Sequence, residues 1–384
     1  MTEQNPDPTP AEKETARKHW DDEAKKLGRF NLAIFGKTGV GKSTLINSIF
    51  GADVAATGVG RPVTSGSHLY VARTGALGLY DTQGLEIGTS SEALLTEVTN
   101  FITSKRTADT SEHIHAVYYC IRAAARVDPA EQRFVRGLHD LGLPVFLVVT
   151  QVHKKGAAVR AEHLEFAQYA NDLLLPIYLG RPFITAALAD PELGYEAHGL
   201  DPLLEATYEA VPEAAKTAFA AAQIVDRGLK RTAARKRVAA AVTMAGAAGA
   251  TPIPFSDAAL LVPIQMAMMA SIAQIYRVPM EGALTASLAA TSMATNAGRA
   301  VVGSLLKFLP GVGSAAGSAI SAAVAGSFTL AMGTAWTRVC EMMLDGKFGP
   351  LTHMNNAQIR TVFMKEFNEL FKAGLQQLRN RPKA

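Results

Sequence analysis

Eight residues, Gly36-Lys37-Thr38-Gly39-Val40-Gly41-Lys42-Ser43, combine three glycines with a final lysine and serine in the Gly-x-x-x-x-Gly-Lys-Ser spacing of a P-loop. Glycines let the main chain close around an anion, and successive N–H groups then point at it. Lys42 is placed to reach the β- and γ-phosphates of a nucleoside triphosphate. Ser43 is placed to ligate magnesium through its hydroxyl, and Thr44 continues into a helix whose positive end adds to the site. A second group, Asp81-Thr82-Gln83-Gly84, follows the apolar run Leu77–Tyr80, about 40 residues after the P-loop. An aspartate there can hold magnesium through water, and the Gly84 N–H can meet the γ-phosphate. Between the two lies the polar loop 58–66, in which Thr64 is the candidate to complete the magnesium shell. The chemistry these residues imply is phosphoryl transfer to water by positioning and charge neutralisation. Lys42, Thr64 and Gly84 are the catalytic candidates, and Ser43, Thr64 and Asp81 the metal ligands.

These groups need a strand before the loop and a helix after it, and the chain offers both. Short apolar runs, Phe30–Phe35, His68–Ala72, Leu77–Tyr80, His115–Ile121, Val145–Thr150 and Phe183–Thr185, alternate with helical candidates near 42–50, 91–106, 130–141, 160–174 and 202–210. That alternation predicts an α/β domain with a mostly parallel sheet of six strands and helices on both faces. The short turn 73–76 predicts that the second and third runs form an antiparallel hairpin.

On these motifs, residues 28–212 resemble the Ras-like P-loop GTPases, specifically the bacterial Era-like branch. The resemblance implies GTP/GDP and Mg2+ as ligands, with Gly36 to Thr44, Asp81 and Gly84 around the phosphates. It also implies switch segments near Thr64 and after Gly84. Two departures stand out. The family's base-reading motif, usually Asn-Lys-x-Asp, corresponds to Thr150-Gln151-Val152-His153. An aspartate accepts two hydrogen bonds from guanine, whereas a neutral histidine offers one acceptor at most, so an ATPase on the same scaffold is an alternative. The next element, which touches the base through its backbone, corresponds to Thr185-Ala186-Ala187. The second departure is Leu85, after Gly84, where Ras-type proteins carry a water-orienting glutamine. It implies slow intrinsic hydrolysis, helped by a partner or a second copy, or else a nucleotide-binding scaffold with little hydrolysis. Arg61, Arg122 and Arg126 are candidates to neutralise transition-state charge.

Beyond residue 212 the pattern changes. Residues 213–237 predict charged amphipathic helix ending in Lys230, Arg231, Arg235, Lys236 and Arg237, a cluster suited to an anionic membrane surface or simply to water. From 238 to 345 the chain is rich in alanine and glycine, with no charged residue in 238–256, 258–276 or 308–337. The phrases Ala250–Asp257 and Leu305–Gly313 resemble a helical domain fused behind Era-like GTPases, domain-of-unknown-function family 697, which implies a membrane-linked helical module. Ser314–Thr337 has the length of a span, but its small residues make insertion marginal, so a bundle and a permanent span both stand. Asp257 and Gln265 are expected as a cap and a buried hydrogen-bonded group. Residues 346–384 predict a C-terminal amphipathic helix, with Ile359, Phe363, Phe367, Phe371 and Leu375 at helical spacing. Residues 1–27 read as a proline-containing tail and a charged helix. The start carries no secretory pattern, which points to the cytoplasm and to the inner membrane's cytoplasmic face as a second location. The net charge of +4 in 384 residues gives no argument for nucleic acid, and two distant cysteines, Cys120 and Cys340, argue against a disulfide framework or cysteine zinc site.

Overall fold

The computed structural model describes residues 10–51, 61–62, 69–72, 75–80, 95–96, 98–100, 102–103, 112–123, 125–156, 158–249, 257–280, 317–351 and 354–379. The chain divides into two compact units, Gly28–Leu229 and Met1–Leu27 with Lys230–Ala384.

In the first unit, strands β1 (Phe30–Phe35), β2 (Arg61–Pro62), β3 (Leu69–Val71), β4 (Leu77–Tyr80), β5 (Ala116–Arg122), β6 (Val145–Thr150) and β9 (Phe183–Ile184) form one sheet in the order β2-β3-β4-β1-β5-β6-β9. The five from β4 to β9 run parallel, while β3 pairs antiparallel with β4, as the short turn requires. The expected α/β sheet is present. Its seventh strand, β2, falls inside the loop 58–66. A two-residue strand gives no periodic signal, and its Pro62 is tolerated because it sits at the sheet edge. A separate hairpin, β7 (Lys154–Lys155) and β8 (Ala158–Val159), follows β6.

β1 and β6 are buried along their whole length and β5 along all but its last residue, which is why they read as apolar runs without alternation. Helices α2 (Lys42–Phe50), α3 (Pro129–Asp140), α4 (Ala161–Asp172) and α5 (Leu200–Ala210) fall close to their predicted positions. Residues 95–96, 98–100 and 102–103 are helical within the predicted 91–106. The sequence reading ends this domain at residue 212. Helix α6 (Glu213–Ala222) packs against β1 and β4, with Phe219 edge-on to Phe30 at 4.7 Å.

The second unit is helical: α1 (Pro10–Leu27), most of α7 (Arg227–Gly249), α8 (Asp257–Ile275), α9 (Gly317–Leu344) and α10 (Asn356–Arg379). Its small residues have a packing reason. A Cβ on Gly333 would stand 2.6 Å from Val238 and 2.8 Å from Met268, so α9 approaches its neighbours closely only because that atom is missing. Trp336 is fully buried on α9 and donates its indole N–H to Met269 O at 3.0 Å. α10 buries Ile359, Phe363, Phe367 and Phe371, and Phe328 of α9 meets Phe367 and Phe371 edge-on. Gln265 is buried and donates to Thr329 Oγ1 at 3.3 Å. Among the described residues, no helix is long and apolar enough to cross a membrane.

Candidate functional site

The loop joining β1 to α2 takes the conformation its glycines allow. Gly36, Gly39 and Gly41 have φ of 136°, 79° and 95°. At Gly36 the chain runs so close to β5 that an added Cβ would meet Cys120 O at 2.2 Å. Gly41 is the N-cap of α2 and makes no side-chain cap bond, so the first N–H groups of the helix are left for an anion. Val40 is buried and pins the loop, while Thr38 and Gly39 are exposed. Lys42 donates to Gly36 O at 2.7 Å and Lys37 O at 3.0 Å, which holds its ammonium across the loop. Ser43 and Thr44 follow in the first turn of α2, both exposed.

Lys37 faces elsewhere. Its ammonium bonds Asp128 at 2.8 Å and Glu131 at 3.2 Å, at the start of α3. Asp128 is the N-cap there, and it closes a capping box with Glu131, whose carboxylate also accepts from the Tyr119 hydroxyl. The hydrogen bond that Lys37 donates to Asp128 raises the Lys37 pKa against the opposing effect of burial. Burial pushes Asp128 up, but Lys37 and the backbone N–H groups of the helix start together hold it below its usual range. The lysine beside the first loop glycine therefore ties the P-loop to α3, and its contribution to an anion would come through its backbone.

The residues expected at the base converge. Gly41, Thr44, Thr150, Gln151, His153, Thr185 and Ala186, with Leu45, Ala187 and Leu188, line a cavity of about 240 Å³ beside the P-loop. Their side chains divide the work. The Thr150 hydroxyl donates to Val40 O and lies 3.1 Å from Ile121 O, so β6 is stitched to the P-loop and to β5. Gln151, at φ 57°, donates to Gly39 O at 3.3 Å. Thr185 is buried and donates to Val149 O. The His153 ring stacks on Tyr195, with centroids 4.6 Å apart and planes 5° apart, and the backbone N–H of His153 donates to Nδ1 of buried His163 at 2.9 Å. Burial lowers the His163 pKa, aided by His153 and Arg160 and opposed by Glu162. Tyr195 and His163 had no motif to mark them. They lie 42 and 10 residues from His153, and only the fold brings them to it.

Arg122 and Arg126 are exposed, on the end of β5 and the loop after it. Thr64, Asp81, Gly84 and Leu85 lie outside the described residues, as do the side chain of Arg61 and most of the two phrases in the helical half.

Residues 31–151 match the family described as "50S ribosome-binding GTPase". The chain is 30% identical over 200 residues to "GTPase Era" of Xanthomonas axonopodis pv. citri, covering 51% of this chain and 60% of that protein. It is 34% identical over 132 residues to "GTPase Der" of Brucella suis, covering 33% of this chain and 26% of that protein. The chain thus spans about 60% of the length of the Era relative and about a quarter of the Der relative. Among solved structures, the septin GTPase domain from Chlamydomonas reinhardtii aligns with a TM-score of 0.30 at 16% identity, over 43% of this chain and 77% of that one. The α/β unit carries a P-loop between β1 and α2, and over residues 31–151 it is similar to these GTPases.

Proposed function

We propose that the protein binds GTP with magnesium and hydrolyses it to GDP and phosphate, as a switch coupled to its helical unit. The observation that carries this reading is the P-loop itself: glycines at positive φ, an uncapped helix start, and Lys42 bonded across the loop. A triphosphate placed there meets N–H groups, a helix dipole and an ammonium at once, without any of them having to move far. Magnesium suits the residues present. The Ser43 hydroxyl is a hard oxygen donor on the first turn of α2, the type this cation takes together with phosphate oxygens. Asp81 and Thr64 are proposed to add to that shell. When bound, the cation neutralises charge that develops on the phosphates.

The test is phosphate release from GTP by the intact protein and by Lys42→Ala. Turnover should fall by roughly 10²–10³-fold in the variant, with an unchanged melting temperature. Wild-type turnover no faster than Lys42→Ala would defeat the reading. The scaffold reading, with binding but little hydrolysis, rests on Leu85 and on the altered base motif 150–153. Turnover measured with and without anionic vesicles separates the two. Vesicles also test whether the helical unit meets a membrane, a reading that rests on exposed Arg235 and Lys236 followed along α7 by exposed Ala239, Ala240 and Met244, since Lys230 of that cluster is buried on Ile275 O and Arg231 is paired with Glu341.

A further inference from the structure

His153 stands where a guanine-reading carboxylate would be expected, and its surroundings show what it can do instead. Of the four residues 150–153, the first two turn their polar side chains to the P-loop carbonyls Val40 O and Gly39 O. Val152 is fully buried. The Thr185 hydroxyl, across the cavity, is spent on Val149 O. His153 is left as the side chain of this segment that faces the cavity without a protein hydrogen bond among the described residues. Its ring is held between the Tyr195 stack and the ring of His163, whose centroid lies 5.3 Å away, and its backbone N–H is anchored on His163 Nδ1. Its Nδ1 is buried without a partner among the described residues, which leaves Nε2 as the ring nitrogen able to meet a ligand.

Resting on the nucleotide reading above, we infer that the cavity takes a purine base and that His153 is the residue that reads it, through one hydrogen bond. One ring nitrogen changes the selectivity. A carboxylate accepts two bonds from the guanine N1–H and N2–H groups and repels the lone pair that adenine presents at N1. A single imidazole nitrogen can accept from guanine N1–H or from the adenine amino group, and it can equally donate to an acceptor on either base. The remaining contacts, from the backbone of Thr185 and Ala186 and from the apolar walls, do not see the difference well. Loss of one hydrogen bond corresponds to about a tenfold change in affinity, so the two purines separate by little more than that.

The experiment is competition of GTP, ATP and magnesium tripolyphosphate against a fluorescent GTP analogue, on full-length wild type, His153→Asp, His153→Ala and Lys42→Ala. The expected wild-type GTP-to-ATP affinity ratio is below about twentyfold, and His153→Asp widens it at least about tenfold by restoring two acceptors. A larger wild-type ratio overturns the inference, as does a folded His153→Asp protein whose ratio does not widen. If the aspartate variant does not fold, His153→Ala decides. It should weaken both nucleotides by about fivefold or more and leave tripolyphosphate unchanged, and unchanged nucleotide affinity overturns the assignment. Tripolyphosphate separates the two proposals. If it binds wild type but not Lys42→Ala, the phosphate site stands whatever His153 does. If neither it nor any nucleotide binds, both readings fall.

Discussion

At the scale of single residues, the least visible feature of the P-loop is Lys37. Its pair with Asp128 is more than a third exposed on both sides and so contributes little, but Glu131 beneath it is almost wholly buried. Removing the ammonium leaves that carboxylate, among the described residues, with the Tyr119 hydroxyl and the Asp128 N–H. Lys37→Met should therefore cost about 1–2 kcal/mol in a denaturant titration, and Lys37→Arg much less. The sign of its pH dependence follows from the shifts. Asp128 is lowered, so its contribution is present above the ordinary carboxylate range and is lost as the pH falls through its folded value. Lys37 is raised, so its share is present below the ordinary lysine range and is lost only at strongly alkaline pH. His163 sets a second dependence. Its folded pKa is lowered, so the unfolded chain binds the proton more readily, and stability is lost as the pH falls below the ordinary histidine range of about 6.5. His163→Asn keeps an acceptor near Nδ1 and cannot titrate there. Its melting temperature should fall less than the wild type's between neutral and mildly acidic pH, and parallel curves would refute the assignment.

At the scale of elements, the close approach of the P-loop to β5 makes Gly36 the most demanding position. Gly36→Ala meets a backbone carbonyl at 2.2 Å and also carries an unfavourable φ. Gly39→Ala shares only the φ problem, since nothing lies within 4 Å of its added carbon. The first should abolish nucleotide binding as the loop is pushed off β5. The second should cost about 1–2 kcal/mol of stability and spare most of the affinity. Equal loss in both, by nucleotide titration and thermal melting, would mean that the clash is relieved elsewhere. In the other unit, Phe367 stacks on Phe371 at 5.5 Å and meets Phe328 edge-on at 5.0 Å. Phe367→Ala should cost about 3–5 kcal/mol in the melting of that unit.

At the scale of the whole molecule, the helical unit is built from two distant stretches of chain. α1 packs against α8, Ala16 on α1 is buried, and Gln274 donates to Trp20 O at 2.8 Å. Deleting residues 1–27 should therefore destabilise the helical unit by several kcal/mol, of order 25 cal/mol per Å² of apolar surface uncovered. Nucleotide affinity, proposed for the unit Gly28–Leu229, should stay within about twofold. Helical circular dichroism on heating and a nucleotide titration read the two effects separately.

The sequence alone determined the P-loop, the parallel sheet and the amphipathic C-terminal helix, because each rests on local chemistry. Glycine freedom, a strand–loop–helix order and a 3.6-residue period are properties of neighbours in the chain. The fold decided what depends on distant partners: that Lys37 serves α3, that Thr150 and Gln151 turn to the P-loop, and that His153 stands between Tyr195 and His163. It also decided that α1 joins the helical unit. A charged helix looks much the same in sequence whether its few apolar residues meet water or another helix. Only the contact made across some 250 residues of chain, a long-range term absent from any local pattern, settles which it is.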